Sequence, residues 1–593
     1  MRFPVSFAQQ RLWFLEQLAP GEPTYNMPYA FWLEGPLDAH ALQRAMDAMV
    51  ARHAVLRTSI VAFDGVPEQV VADTGTVPIE HIELPLGLDE SERTRKAESI
   101  AGELARQPFD LATAPLIRLA LIAAGPGRHL FVLVLHHSIS DGSSMKILLD
   151  ELSAVYRAET AGLPVSLPPL LMEYSDYAEW QQESIRDEEL DRQLSYWREQ
   201  LRGAPQVLIL PTGRPRPARR SARGGMATIY VDATTTQRLA AVAHGAHATM
   251  FMVFLTGFAA TLSRYARQAD LLLGTQVAGR SHAELDPIVG VFTNTLTLRT
   301  SLAGDPAFAE LLGRVRDTTV NGLAHDQLPF EKLVQEFAPD RTLAYPPLIQ
   351  VQFGYGSLAP PTLDLPGITT RFHALPTSTA KLDLTVYADA QEGPDGQATR
   401  LSMEYSTDLF DAAWADRFLG CLATLLERAA DVPGTPVADL PMLPAAQLDE
   451  LIIETVLPAP EGSAGPPAAG RVEPRNPVEA TLAQIWSHLL GTQAPVGVHD
   501  NLFALGGHSL TVTRFVARVG DTYGVDLPVH QVFAGPTIAE LAEVIVADPD
   551  FGVTAGSSRD AELDALSDEE LDKLLRAALA ERNRRAITHG SGR

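Results

Sequence analysis

The stretch from Leu457 to Arg471 reads Leu-Pro-Ala-Pro-Glu-Gly-Ser-Ala-Gly-Pro-Pro-Ala-Ala-Gly-Arg. Proline fixes φ and removes a backbone donor, while glycine leaves the chain loose, so a run of this kind reads as a flexible-to-semirigid linker. It splits the chain into a long part before it and a compact block, about Pro477 to Asp548, after it. At 593 residues the whole exceeds one ordinary domain. A hydrophobic content of 46% is enough to fill more than one core.

The long part mixes two periodicities. Ala39 to Arg57 places Leu42, Ala45, Met46, Met49 and Val50 at helical spacing. Phe131 to Leu135 is a continuous apolar run, as expected of a strand buried on both faces. After the Asp141-Gly142 turn, Met145, Leu148, Leu149, Leu152 and Tyr156 form a helical stripe, with Ser143 or Ser144 as the expected cap. Val291 to Arg299 alternates as a strand, Phe292, Asn294, Leu296 and Leu298 on one face. The class is mixed α/β. The block after the linker reads as small and all helical, its first helix marked by Val478, Leu482, Ile485, Trp486 and Leu489. A last segment, Asp560 to Arg585, opens on a capping box at Ser567 to Glu570 and carries Leu571, Leu574, Leu575, Ala578 and Leu579 as an apolar stripe. Either a partner or its own neighbouring block would cover it.

Several classes are disfavoured. A net charge of −26 argues against nucleic acid, because phosphate binding needs a surplus of Lys and Arg. Cys421 is the only cysteine, so neither an intrachain disulfide nor a thiolate cluster can form. The first ten residues lack the apolar core of a signal peptide, and no apolar run has bilayer length. The expectation is a cytoplasmic protein without membrane partners.

Chemistry concentrates in two places. In His136-His137-Ser138-Ile139-Ser140-Asp141-Gly142 a histidine stands where a buried strand meets a turn. Such a ring can hold or move a proton near neutral pH, and the following helix N-terminus carries partial positive charge. Acyl transfer from a thioester needs these elements: deprotonation of the nucleophile, stabilisation of the carbonyl oxygen, and positioning. A metal site is disfavoured, since adjacent histidines lack the same-face geometry of helical zinc ligands. The second place is Leu505-Gly506-Gly507-His508-Ser509-Leu510, a serine opening a helix marked by Val512, Phe515, Val516 and Val519. Ser509 read alone is a helix cap; glycines before it also make it accessible to a modifying enzyme.

The double-histidine segment matches the His-His-x-x-x-Asp-Gly signature of condensation domains of non-ribosomal peptide synthetases, relatives of chloramphenicol acetyltransferase. Other stretches resemble the family's motifs in order: Ser6 to Trp13, Arg52 to Thr58, Tyr174 to Trp180, Gly290 to Thr295, His325 to Glu331 and Arg341 to Leu348. The resemblance covers residues 3 to 443. It implies a two-lobed, V-shaped acetyltransferase-like fold (residues 1–443, lobes 1–177 and 178–443) with a tunnel entered from opposite faces. It also implies His137 as the catalytic residue, acting as base or by positioning, with His136 beside it. Asp141 would pair structurally with Arg280, and Gly142 would line the path of the substrate arm. Ser143, Asp326-Gln327 and Tyr345-Pro346 depart from the usual pattern.

Residues 475–548 resemble a peptidyl carrier domain, a small four-helix bundle, with Ser509 as the attachment point of 4′-phosphopantetheine. The stretch 444–474 would be linker, and 549–593 a flexible tail with a docking helix. The adenylation domain that usually lies between these parts is absent. The resemblance therefore implies an acyltransferase that forms an amide, or an ester, between an upstream carrier's thioester and a substrate on Ser509. That substrate would be loaded by a separate adenylation enzyme after a phosphopantetheinyl transferase has acted. Epimerisation and a non-catalytic platform that recruits enzymes to the carrier are the rival readings.

Overall fold

The computed structural model describes residues 1–337, 344–356, 361–393, 396–443, 472–490, 496–502, 505, 509–525 and 527–548. The linker 457–471, the start of the motif at 341–343, Gly506 to His508 and the helix expected within 560–585 lie outside the described residues.

The first lobe runs β1 (Arg2–Pro4), α1 (Phe7–Leu18), β2 (Asn26–Glu34), α2 (Ala39–Arg52), β3 (Thr58–Phe63), β4 (Val66–Val71), β5 (Ile79–Glu83), α3 (Glu90–Arg106), β6 (Ile117–Gly125), β7 (Arg128–His136), α4 (Gly142–Ala161) and α5 (Tyr174–Ser184). The second runs α6 (Asp187–Leu201), β8 (Gly224–Val231), α7 (Ala233–Gly245), α8 (Met250–Ala266), β9 (Asp270–Val277), β10 (Asn294–Ser301), α9 (Phe308–Leu323), α10 (Phe330–Phe337), β11 (Val351–Tyr355), β12 (Thr369–His373), β13 (Leu384–Gly393), β14 (Gly396–Ser406) and α11 (Ala412–Asp431). Beyond the linker come α12 (Pro477–Leu490), α13 (Ser509–Tyr523), α14 (Val529–Ala534) and α15 (Ile538–Ala547).

Local chemistry explains the elements that matter for the site. Ser6 and Gln9 form a reciprocal capping box that starts α1, each side chain taking the other's backbone N–H at 3.1 Å. The apolar run of β7 is buried on both faces, with α3 packed against β6 and β7 and with α2 packed against α4. Phe31, Trp32 and Phe131 are fully buried there, each contributing about 1.5–3 kcal/mol or more of transfer free energy. β2 pairs with β7 from Asn26↔His136 to Glu34↔Arg128, so the double histidine sits where the central pair of strands ends.

Among the described residues the first lobe's sheet has the order β12-β2-β7-β6-β5, the second lobe's β10-β9-β11-β13-β14-β8, and β1-β4-β3 forms a small third sheet. β12 is an exchange between lobes: it belongs to the second lobe in sequence yet pairs antiparallel with β2. Leu363, Leu365 and Leu375 around it, and Leu285, Ile288, Val289, Val291 and Phe292 before β10, bury in the first lobe's core. A division at residue 177 thus omits two segments that cross back.

Two local expectations are corrected. Helix α4 is capped by Asp141, whose side chain accepts the Ser144 N–H, not by Ser143 or Ser144. The strand expected from Val291 begins only at Asn294, because Val291 to Thr293 form the crossing loop and the Phe292 N–H is bonded to Asp141 instead of to a strand.

The block after the linker closes around Leu482, Trp486, Phe515, Val519, Leu541 and Ile545, all fully buried, with the Trp486 and Phe515 rings edge-to-face at 6.0 Å. It rests on the first lobe: α13 packs against β4 and α14 against α1. The Asp64-Gly65 hairpin turn, with φ of +52° and +73°, meets α13. Thr513 Oγ1 donates to the Gly65 carbonyl at 3.1 Å, and a Cβ on Gly65 would lie 3.0 Å from the Thr513 carbonyl.

Candidate active site

His136 and His137 occupy opposite environments although they are adjacent. His136 is buried at the end of β7, its ring edge-on to Phe109. Its Nδ1 accepts the Ser138 N–H at 3.1 Å, so in the neutral ring the proton is on Nε2. Burial pulls its pKa down to about 3, with His137 adding to the effect. His137 is half-buried at the turn, and its backbone N–H donates to the Tyr25 carbonyl at 2.8 Å. Its Nδ1 lies 2.8 Å from the Ser140 carbonyl, which can only accept. Nδ1 therefore carries the proton, and Nε2 presents its lone pair. Desolvation first and the Lys381 charge second pull this imidazole down to about 4; the bond to Ser140 and the Asp141 charge oppose them. At neutral pH the ring is an uncharged base.

Beside it, Gly142 and Ser143 are exposed, and a Cβ built on Gly142 meets nothing within 4 Å. Open space therefore adjoins the backbone at the start of α4, five residues after His137. Gln9 of α1 supports the loop from behind, its Nε2 donating to the Ser138 carbonyl and to Gln69 Oε1 of β4, both at 3.2 Å.

Asp141 joins the lobes. Its Oδ1 accepts the Ser144 N–H at 2.7 Å and its Oδ2 the Phe292 N–H at 2.9 Å. Arg280 approaches no nearer than 3.7 Å. The guanidinium instead donates to Ser144 Oγ at 2.9 Å and to the Leu285 carbonyl, and stacks over the Phe292 ring at 4.0 Å. The expected Asp141–Arg280 ion pair is thus a long one inside a network in which backbone N–H groups satisfy the carboxylate. Removing Arg280 would not leave Asp141 without partners, which corrects the picture of a two-member pair.

Ser144 is the hub that sequence reasoning saw only as a cap. Its hydroxyl donates to the Gly290 carbonyl at 2.7 Å and accepts the Gly290 N–H at 3.0 Å, besides meeting Arg280. Tyr174 Oη donates to the Val291 carbonyl and meets Ser6 Oγ, both at 2.7 Å, and its ring fills the place a Gly290 side chain would take. Sequence motifs at Ser6, Tyr174 and Gly290 thus converge on one clamp. Asn294 holds the next, its Nδ2 donating to the Asp326 and Leu328 carbonyls, both at 2.8 Å.

Two of the three departures from the family pattern make defined contacts. Asp326 lines a cavity of about 160 Å³ with Phe7, Tyr177, Trp180, Phe292 and Glu331, a wall that does not include His137. Burial holds the Asp326 and Glu331 carboxyls above the usual range. Tyr345 lies 4.1 Å under the Arg216 guanidinium. Lys381 and Glu404, from the second lobe, stand near Tyr25 and carry no sequence signal that would have singled them out.

Ser509 is the first residue of α13, so an anionic phosphodiester there would sit at the positive end of a fifteen-residue helix, which fits phosphopantetheine. The exposed Leu505 precedes it.

Comparison with known proteins agrees with this geometry. Residues 2–452 match the model described as Condensation domain, and 480–545 match Phosphopantetheine attachment site. The chain is 38% identical to a linear gramicidin synthase polypeptide of Brevibacillus parabrevis over 453 residues, 76% of this chain and 6% of that protein. It is 39% identical over 453 residues to phosphinothricin tripeptide synthetase PhsC of Streptomyces viridochromogenes, covering 76% and 41%. It thus spans less than half the length of these curated relatives. In a complex of the X-domain and OxyB from teicoplanin biosynthesis, the matching chain superposes with a TM-score of 0.67 at 29% identity, covering 75% of this chain and 96% of that one. The chain belongs to the condensation-domain family, with a phosphopantetheine attachment domain following in the same chain.

Proposed function

We propose that this chain joins a donor acyl group, arriving as a thioester on another carrier, to a nucleophile tethered on its own Ser509. The observation that carries this reading is the seat of the carrier domain. α13 and α14 rest on the β3–β4 turn and on α1, and those same elements, through Gln69 and Gln9, hold the His137 loop. Four residues of strand, about 13 Å, separate Gly65 from Gln69. Thr513, in contact with that turn, follows Ser509 by one helical turn.

The phosphopantetheine arm supplies a thiol on a flexible tether. Everything else falls to residues of the chain. His137 Nε2, kept unprotonated by burial and by the Nδ1 bond to Ser140, accepts the proton lost by the attacking amine. The Asp141–Ser144–Gly290 clamp holds the crossing loop against α4 and fixes the width of the space beside Gly142.

Loading of Ser509 by a separate adenylation enzyme is supported by the distance between the two matched domains. Residues 453 to 479 are too few for a domain, which needs on the order of 50 residues. The test is intact-protein mass spectrometry of the phosphopantetheinylated full chain with amino acids and ATP. The expected result is no added mass until an adenylation enzyme is supplied; self-loading would overturn the reading.

One observation favours a second reading, a platform that recruits enzymes to the carrier: the similarity to an X-domain solved in complex with OxyB. Full transfer activity that survives loss of the His137 ring would favour it.

A further inference from the structure

Lys381 reaches from the second lobe toward the site. Lys381 lies just before β13, and its backbone is pinned on both sides. Its N–H donates to Glu404 Oε1 at 3.1 Å, and its carbonyl accepts from Arg220 Nη2 at 2.7 Å. Arg220 Nη2 also bonds the Ala380 carbonyl at 3.0 Å. Two residues on, Asp383 accepts from Arg216 Nη1 at 3.2 Å. The side chain therefore leaves from a fixed point. Its ammonium lies over the Tyr25 ring, 5.7 Å from the centroid, and Tyr25 is the residue whose carbonyl holds the His137 backbone. Lys381 thus reaches across the lobe boundary to Tyr25, one backbone hydrogen bond from His137.

The charges around it are few. Burial, first of all, pulls the Lys381 ammonium below its ordinary pKa; Glu404 opposes this and Arg11 adds to it. Glu404 is itself pushed above the usual carboxylate range by burial, which weakens it as a neutralising partner. Toward His137 the facing charges are Lys381 and Asp141, of opposite effect. Lys381 has the larger of the two effects, and Asp141 is also engaged by two backbone N–H groups, so the net field of these two charges over the imidazole is positive. Burying a cation beside a base that must take up a proton is costly, unless the reaction places negative charge there.

We propose that Lys381 is an active-site cation: it faces the His137 imidazole from the second lobe and receives the negative charge that develops on the thioester oxygen. This rests on the transfer reaction argued above. The acceptor nitrogen's lone pair forms the new C–N bond while the carbonyl π pair moves to oxygen, toward Lys381. The nitrogen's proton passes to His137 Nε2. The oxygen pair then restores C=O, the C–S bond breaks with its pair on sulfur, and the proton moves from Nε2 to that sulfur. No oxidant or further reactant is needed.

The test uses the full chain with Lys381→Met, which keeps the stem, and Lys381→Arg, which keeps the charge. In protein carrying ¹³C-labelled histidine, the His137 resonance is assigned by its loss in His137→Asn. Its titration midpoint should rise by about one pH unit in Lys381→Met and stay in place in Lys381→Arg. In transfer assays kcat should fall about 100-fold in Lys381→Met, with KM for the donor carrier within about two-fold, and recover in part in Lys381→Arg. An unmoved His137 midpoint overturns the placement. A moved midpoint with unchanged kcat overturns the role in stabilising charge. Lost kcat that Lys381→Arg does not restore, with a collapsed thermal transition in both variants, reduces Lys381 to a structural residue and overturns it too. Should wild-type protein transfer nothing from any donor while the midpoint still moves, the transfer reading fails and the placement of Lys381 stands.

Discussion

Replacing Asp141 by alanine separates a cap-and-clamp role from an ion-pair role. Three contributions are lost. The cap on α4, Oδ1 to the Ser144 N–H at 2.7 Å, is worth about 1 kcal/mol. The Phe292 N–H, now accepted at 2.9 Å, would be left buried without a partner, costing about 1–3 kcal/mol. Arg280 would lose a countercharge 3.7 Å away; it keeps Ser144 and Leu285, so this adds on the order of 1 kcal/mol, well below the 3–5 kcal/mol of a tightly paired buried ion. The expected total is about 3–5 kcal/mol. Asp141→Asn keeps one acceptor but sets an NH₂ against an N–H donor, and should lose about half as much. Arg280→Met should cost less than Asp141→Ala, and the double variant should show a coupling of about 1–2 kcal/mol. Urea titration of the full chain, followed by tryptophan fluorescence, reads these differences. Five of the six tryptophans (Trp13, Trp32, Trp180, Trp197 and Trp414) precede the linker, so the condensation domain dominates that signal. Stability of Asp141→Ala within about 0.5 kcal/mol of wild type would refute the reasoning. So would an Arg280→Met background in which Asp141→Ala costs nothing further, since the ion pair would then carry the whole effect.

Other outcomes follow from the same geometry. With His137 pulled down to about 4, transfer rates should show no loss from its protonation between pH 8 and 6; a fall with a midpoint near 6.5 that His137 titration matches would contradict its environment. Stability should behave differently. His136 takes up a proton near 6.5 when unfolded and only at about 3 when folded, so its contribution is complete above pH 6.5 and is lost as pH falls toward 3. The slope from His136 approaches about 1.4 kcal/mol per pH unit, and His137, pulled down to about 4, adds a like slope, so the fall in urea midpoints from pH 7 to 4 should be about halved in a folded His136→Gln variant. Gly65→Val both strains a φ of +73° and pushes a side chain against Thr513, so it should slow transfer to Ser509 within the chain while leaving loading of Ser509 unchanged; equal transfer in the variant would mean the carrier works from another seat. Trp486→Ala should cost about 3–5 kcal/mol and unfold the carrier domain, seen as loss of its helical hydrogen-exchange protection.

Much of the scaffold was legible because its signals are local. The unbroken apolar run of β7 and the stripes of α2 and α4 report periodicity that neighbouring residues decide. What the pattern misread was decided at long range. Ser143 and Ser144 look like caps by residue type, yet Asp141 is better placed because its second oxygen also serves Phe292, 151 residues away. The same bond takes Val291 to Thr293 out of an otherwise good alternating strand. β12 carries no mark that it leaves its own lobe, since the pairing with β2 is set by topology and not by composition. The double histidine was visible as a motif, but the opposite tautomers of its two rings depend on bonds to Ser138 and Ser140 that only the folded turn creates. Lys381 is one basic residue among 47 until the lobes meet.

The most direct measurement compares wild type and His137→Ala, both carrying the arm and loaded equally on Ser509, after mixing with a donor carrier's acyl thioester. Intact-protein mass spectrometry should find the joined product on Ser509 of the wild-type chain, with only the unextended substrate on the variant. Equal extension of both would contradict the account, because the reaction would then proceed without the imidazole around which the two lobes are arranged.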